Sequence, residues 1–388
     1  MFKIQTLNNI SRNGLDRLPG TLYAIANELA EPDAILVRSA DMHRAPIPAS
    51  VKAVARAGAG TNNIPVAALS ARGVPVFNAP GANANAVKEL VVAGMLMAAR
   101  NLAPALAFVH ELPPGDDLHA RVEAEKKRFV GSELAGKTLG VVGLGAIGVK
   151  VANAAYALGM RVVGFDPHMT IDGAWQLSAQ VARAATLNEL FAASDYLTFH
   201  LPLNDKTRGM FGMQALELAR RGVVVLNFAR EGIVDAQALR QGLADNRIGH
   251  YVSDFPESDL LADPRVIALP HLGASTGEAE ENCAVMVVDQ LRDFLEHGNV
   301  RHSVNFPEAR MARASNGRIC IANSNRPNMI GQLSHVLGEA GVNIAQMLNA
   351  SRGDLAYTLI DVDSKIPATL VSAIAGIDGI LSVRVIED

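Results

Sequence analysis

Arg230, Glu257 (with Asp254 nearby) and His271 are the residues whose types and order could do chemistry together. A guanidinium clamps a carboxylate through two parallel hydrogen bonds and so orients a small acid. A histidine near neutral pKa takes a proton from a hydroxyl and gives it back in the reverse direction. A carboxylate on the other ring nitrogen fixes the tautomer and stabilises the imidazolium. Each group follows a strand candidate: Val223 to Asn227 before Arg230, Ile248 to Ser253 before Glu257, Val266 to Leu269 before His271. Taken singly, His271 reads as a loop or capping histidine and Glu257 as a solvated loop acid. Taken together at strand ends, they fit interconversion of a 2-hydroxy acid and a 2-oxo acid, provided something accepts the hydride.

The stretch from Thr138 to Asp166 provides for that acceptor. A strand, Thr138 to Val142, enters a turn with Gly143, Gly145 and Gly148; an Ala-rich helix follows to about Leu158, then a strand, Arg161 to Phe165. Gly143 permits the tight turn, Gly145 lets backbone approach a pyrophosphate, and Gly148 allows close helix–strand packing. Free N–H groups at the start of the helix, around Ala146 and Ile147, suit the phosphates. Asp166 is placed to accept hydrogen bonds from a ribose diol and to repel a 2′-phosphate, which favours NAD over NADP. Further cofactor-binding candidates are His200, Pro202, Thr207, Phe228, Ala229, Arg230, Asp254, His271 and Gly273. With hydride and proton both accounted for, no metal is expected.

The elements that position these groups read as α/β throughout. Lys3 to Leu7, Ala34 to Arg38, Lys52 to Arg56 and Val74 to Asn78 are strand candidates. Arg38 and Arg56 close two of them, and Ala57-Gly58-Ala59-Gly60 offers backbone N–H groups to an anion. Both arginines also suit surface ion pairs. Ala84 to Arg100 reads as one helix, Glu111 to Arg128 as a surface connection, and Glu278 to His297 as a helix crossing back to the first lobe. The expected domains are 1–97 with 283–308, split and binding substrate; 98–282, binding NAD; and 317–388. A substrate cleft between the two lobes follows from that division. Met311 to Asn316 reads as a polar joint, and the β-α-β-β-α-β order beyond it as a small independent ferredoxin-like unit. It has no acid–base cluster, so regulation or assembly suits it better than catalysis.

Composition sets the bounds. The chain has 388 residues, 49% of them hydrophobic, with a formal net charge of −4. Lys and Arg are dispersed, which gives no sign of a nucleic-acid or membrane partner. Cys283 and Cys320 form neither a metal-ligand cluster nor a disulfide framework. With no signal-peptide pattern after Met1 and no apolar run of spanning length, a cytoplasmic protein is expected.

From Val37 to Asn305 the chain resembles the D-isomer-specific 2-hydroxyacid dehydrogenases. The stretches that carry this are L-V-R-S-A, A-R-A-G-A-G-T-N-N-I, V-V-G-L-G-A-I-G, H-L-P-L-N-D-K-T-R-G, L-N-F-A-R-E-G-I-V-D and P-H-L-G-A-S-T-G-E-A. N-R-P-N-M-I-G extends the resemblance to members with a C-terminal ACT domain. It implies a Rossmann-type domain inserted in a split flavodoxin-like substrate domain, a homodimer or homotetramer, and NAD-dependent oxidation of 3-phospho-D-glycerate to 3-phosphooxypyruvate, which opens the phosphorylated route to L-serine. Reduction of glyoxylate or hydroxypyruvate is the enzymatic alternative, and a non-catalytic NAD-sensing protein the other. By motif, Arg230 is the carboxylate-binding arginine, His271 the acid–base histidine, and Arg38 with Arg56 to Gly60 the region holding substrate. Asn325 and Asn343 match asparagines that hold an amino-acid effector, L-serine. Asn323 stands where a histidine is usual, and Asn328 where a glycine is. Glu231 precedes Gly232, where the family has glycine directly after the arginine. Ungapped counting puts Asp254 on the family's aspartate and Asp259 on its glutamate, so a local deletion is needed to bring Glu257 into that role.

Overall fold

The computed structural model describes residues 1–44, 46–313 and 317–387. It divides into two compact units, Ala84–Thr276, and Met1–Asn83 with Gly277–Asp388. The expected joint Met311 to Asn316 lies partly outside the described residues, as does the last residue of the expected C-terminal domain.

The larger unit opens with five parallel strands, β1 (Phe2–Leu7), β2 (Tyr23–Ala26), β3 (Ala34–Val37), β4 (Ala53–Arg56) and β5 (Val76–Phe77), in the order β2-β1-β3-β4-β5. That is the flavodoxin-like doubly wound order. β2 was not foreseen, because Y-A-I-A is too short to show a period.

The other unit holds seven parallel strands: β6 (Thr138–Val142), β7 (Arg161–Phe165), β8 (Ala182–Arg183), β9 (Tyr196–Phe199), β10 (Val223–Asn227), β11 (Ile248–Ser253) and β12 (Val266–Ala268). Their order, β12-β11-β10-β9-β6-β7-β8, is the Rossmann order with one added strand, and it reverses between β6 and β9. β6, β9 and β10 are buried along their whole length, as V-V-V-L-N and Y-L-T-F require of strands covered on both faces. The helix Ala84–Ala99, read from sequence as part of the first lobe, belongs to this unit. Its Gly94 lies where a β-carbon would press on Val252 and Phe228. Two further helices follow, Leu102–Glu111 and, within the expected surface connection Glu111 to Arg128, Leu118–Glu125, with no buried residue in either. Pro104 sits in the first turn of the former, where a missing N–H costs nothing.

The larger unit continues with the helix Gly277–His297 and a four-stranded antiparallel sheet: β13 (Gly317–Ser324), β14 (Ile344–Arg352), β15 (Leu355–Val362) and β16 (Ile380–Glu387). Its order is β14-β15-β13-β16, with helices Met329–Glu339 and Ala368–Ala375 in the expected places. The expected independence of this unit is not what the structure shows. Cys320, Ala322, Tyr357 and Leu359, on the face away from those helices, share one core with Phe77, Phe294, Leu295 and Phe306. A sheet apolar on both faces needs a second cover.

Candidate active site

The first step in building the site is the glycine turn after β6. Gly143 has φ +90° and donates its N–H to Phe165 O at 2.9 Å. A β-carbon on Gly148 would lie 1.9 Å from Gly143 O, so only glycine lets the helix Ala146–Ala157 seat there. At Gly145 a β-carbon would meet nothing within 4 Å, which leaves the helix N-terminus open. Asp166 closes the turn: its carboxylate accepts from Leu144 N and His168 N, each at 2.8 Å. The Thr207 hydroxyl donates to Pro202 O at 2.6 Å and accepts from Asn204 N at 2.9 Å, so it shapes the loop past β9. His200 Nδ1 is buried without a partner, and burial alone pushes the imidazole pKa down to about 3. It is neutral at physiological pH. An open helix N-terminus, a glycine cradle and an orphaned polar atom at the sheet's switch point all fit a dinucleotide.

Three adjacent strand ends carry the remaining chemistry. β10 ends in Asn227, whose side chain donates to Arg230 O at 2.9 Å and accepts from Ala229 N at 3.2 Å. That brackets Phe228 and Ala229, both buried, and turns Arg230 out to solvent, its Nη1 donating to Ala229 O at 2.6 Å. β11 ends in Ser253, whose hydroxyl donates to Asn227 O at 3.0 Å and accepts from Phe255 N at 3.0 Å. Asn227 and Ser253 were missed in the sequence reading. A polar residue ending an otherwise apolar buried strand was the available signal. Asp254 follows, 1% exposed; Oδ2 accepts from Gly273 N at 3.0 Å, and Oδ1 is buried without a partner. Burial raises its pKa, opposed by the Gly273 N–H and by the charges of His271 and Arg230. His271, after β12, is exposed at φ +41°, its N–H bound to Asp254 O at 3.0 Å and its ring 4.9 Å from that of Phe255.

Glu257 is not hydrogen-bonded to His271 here. Its carboxylate lies 3.7 Å from Arg240, whose Nε holds Asp259 at 2.5 Å. Burial raises the Glu257 pKa, and Arg240 counters it.

Within the other unit, Arg38 is paired with Glu280. Arg56 donates to Arg38 O at 2.9 Å and to Gly60 O, so its guanidinium braces the Ala57–Gly60 loop. The asparagines of the C-terminal sheet do not converge within one chain. Asn325 follows β13, where Ser324 pairs with Leu355, whereas Asn343 precedes β14, where Ile344 pairs with Val362. Seven residue steps separate those ends, roughly 23 Å. Asn325 donates to Gly353 O at 3.0 Å and Asn343 to Asp363 at 2.8 Å, while Asn323 Oδ1 is buried without a partner.

A sheet that reverses at a glycine turn and sets acid–base groups on the neighbouring strand ends is built for hydride transfer, and the protein is an NAD-dependent dehydrogenase. The NAD binding domain of the D-isomer specific 2-hydroxyacid dehydrogenases matches residues 92–273. The chain belongs to that family. D-3-phosphoglycerate dehydrogenase of Haemophilus influenzae is 31% identical over 339 residues, 84% of this chain and 79% of the relative. The enzyme of the same name from Methanocaldococcus jannaschii is 34% identical over 296 residues, 74% of this chain but only 54% of that relative. A glyoxylate reductase structure from Paecilomyes thermophila matches with a TM-score of 0.64 at 27% identity, over 78% of this chain and 98% of that one. Among the described residues no group of acids, histidines or cysteines could hold a metal, and no single helix is long and apolar enough to cross a membrane.

The Asp166 geometry carries a prediction. Its carboxylate is anchored to the turn at both oxygens, so a 2′-phosphate would meet fixed negative charge. NAD is expected to be used far better than NADP, and Asp166→Ala to narrow the ratio of kcat/KM values. A wild-type preference for NADP would sink the role given to Asp166.

Proposed function

We propose that the protein oxidises 3-phospho-D-glycerate to 3-phosphooxypyruvate with NAD, the first step of the phosphorylated route to L-serine. The observation that carries the reaction type is the placement of Arg230, Asp254 and His271 at three neighbouring strand ends of the nucleotide-binding sheet. The names of the relatives support the substrate. Bound NAD supplies the hydride acceptor. Arg230, free of any carboxylate partner among the described residues, receives the substrate carboxylate in a bidentate pair. His271 removes the hydroxyl proton and returns it in reverse. Asp254, fixed by Gly273 N–H, keeps its buried Oδ1 for the cofactor. Arg38 and the backbone N–H groups of the braced Ala57–Gly60 loop are of the type that suits a phosphate.

Glu257 is proposed as the imidazole's partner. It is the acid held loosely by Arg240, at 3.7 Å, while Asp259 occupies the same guanidinium at 2.5 Å. Its negative charge would stabilise the imidazolium formed when the proton is taken. Glu257→Gln is then expected to move the basic form of His271, and the rise of the oxidation rate, to lower pH, with Asp254→Asn doing so less. A pH–rate profile for each variant decides it, and the opposite ranking transfers the role to Asp254.

The C-terminal sheet is proposed as an ACT domain binding L-serine. With Asn325 and Asn343 at opposite ends of the sheet, a site using both takes one from each of two copies, in keeping with a homodimer or homotetramer. A cytoplasmic location completes the reading. Following NADH formation with 3-phospho-D-glycerate tests the substrate; turnover confined to glyoxylate or hydroxypyruvate, run in reverse, would replace it.

A further inference from the structure

We propose that a small oxyanion, a phosphate or short carboxylate, binds in a cavity between the first lobe and the C-terminal sheet of the same compact unit. The cavity has a volume of about 180 Å³. Lys52, Arg72 and Gly73 line it from the lobe, Phe294 from the helix Gly277–His297, and Cys320, Tyr357 and Arg384 from the sheet. Three of the lining side chains are cationic and none is a carboxylate. Lys52 is neutralised by Asp33 at 2.7 Å, whereas neither guanidinium has a carboxylate partner among the described residues. Arg72 donates to Ile47 O at 3.0 Å and Pro48 O at 2.7 Å. Arg384 donates to Leu295 O at 3.2 Å and to Phe294 O, and lies over the Phe294 ring at 4.2 Å. Its Nε is buried with no hydrogen-bond partner.

Carbonyls at a helix C-terminus offer partial negative charge, short of what a guanidinium needs when withdrawn from water. No lining group supplies a full negative charge. Burial pushes the Cys320 thiol and the Tyr357 hydroxyl up, so both are neutral at physiological pH. Two under-compensated guanidiniums facing one space form an anion site, with the orphaned Nε as a ready donor. The space is smaller than the roughly 300–1,000 Å³ of ordinary ligand pockets, so the occupant is small. Arg72 belongs to the lobe and Arg384 to the sheet, so a bound anion ties the two together. It stabilises the docked arrangement by mass action.

Inorganic phosphate is the probe. Calorimetric titration into the full chain saturated with NAD, which fills the pyrophosphate site, is run on wild type, Arg38→Ala and two cavity variants, Ala49→Phe and Arg384→Gln. Ala49 is an exposed lining residue, so bulk there obstructs the cavity while every cation stays in place. The expected result is a saturable site that persists in Arg38→Ala, and so is distinct from the proposed substrate-phosphate site, and that is weakened at least tenfold in both cavity variants, with NAD affinity unchanged and a phosphate-dependent rise in Tm smaller in those variants than in wild type. Repeating the titration with acetate separates a carboxylate preference from a phosphate one. No saturable phosphate or acetate site in wild type, or affinity retained within twofold in the folded cavity variants, overturns the proposal. Where Arg384→Gln fails to fold, Ala49→Phe decides alone.

Discussion

Replacing His271 by alanine is expected to lower turnover by about 10²- to 10⁴-fold, the usual worth of a positioned acid–base group. NAD affinity is expected to change little, because the turn at Gly143 to Gly148 and Asp166 contains nothing that touches the imidazole. The fold is expected to survive, since the side chain is exposed and its principal contact is the ring of Phe255. The backbone is the risk: His271 sits at φ +41°, and alanine tolerates that region less well than histidine. His271→Asn keeps a residue suited to positive φ while removing the base, and so controls for strain. Steady-state kinetics on both, with calorimetric NAD titration, separate the effects. Turnover within a few-fold of wild type in the asparagine variant would remove His271 from proton transfer.

Arg318→Met is expected to cost about 3–5 kcal/mol of stability, the usual loss when one member of a buried ion pair is removed. Arg318 and Asp361 are both fully buried and joined by two hydrogen bonds, 2.5 and 2.8 Å. The same guanidinium donates to His297 O at 2.8 Å, Met311 O at 2.9 Å and Ala312 O at 3.0 Å. It therefore binds the C-terminal sheet, the end of the helix Gly277–His297 and the connecting segment at one point. Its positive charge also faces the negative end of that helix. Removing it leaves Asp361 buried without this counter-charge and three carbonyls without their donor. Arg318→Met with Asp361→Leu is expected to recover much of the loss. Urea denaturation measures each, and hydrogen exchange tells whether the C-terminal strands open first. A single-variant cost below about 1 kcal/mol would show that the sheet is held by apolar packing instead.

The two effects differ in how legible they were. His271 was visible in the sequence because an apolar strand ran into P-H-L-G, and strand ends are where open α/β sheets place their chemistry. Arg318 was not. In the sequence it stands at the start of an apolar run that reads as a strand, and nothing local names Asp361, 43 positions away, as its partner. Antiparallel pairing of β13 with β15 sets them opposite one another.

Local pattern determined the elements. β6, β7, β10 and β11 begin and end where apolar runs and turn residues put them, most plainly in β6 and β10, which are buried along their whole length. The glycine turn was equally explicit, since at Gly143 and Gly148 backbone geometry excludes any other residue. Only the tertiary structure decided what those elements share. It gave the helix Ala84–Ala99 to the nucleotide-binding unit, seated the C-terminal sheet on the core of the first lobe, and faced Glu257 to Arg240. It also set Asn325 and Asn343 at opposite ends of one sheet. The physical reason is common to all four. A residue's type and the period of its neighbours fix its local conformation and the face it buries, whereas the partner that covers the face is chosen by contacts far apart in the chain.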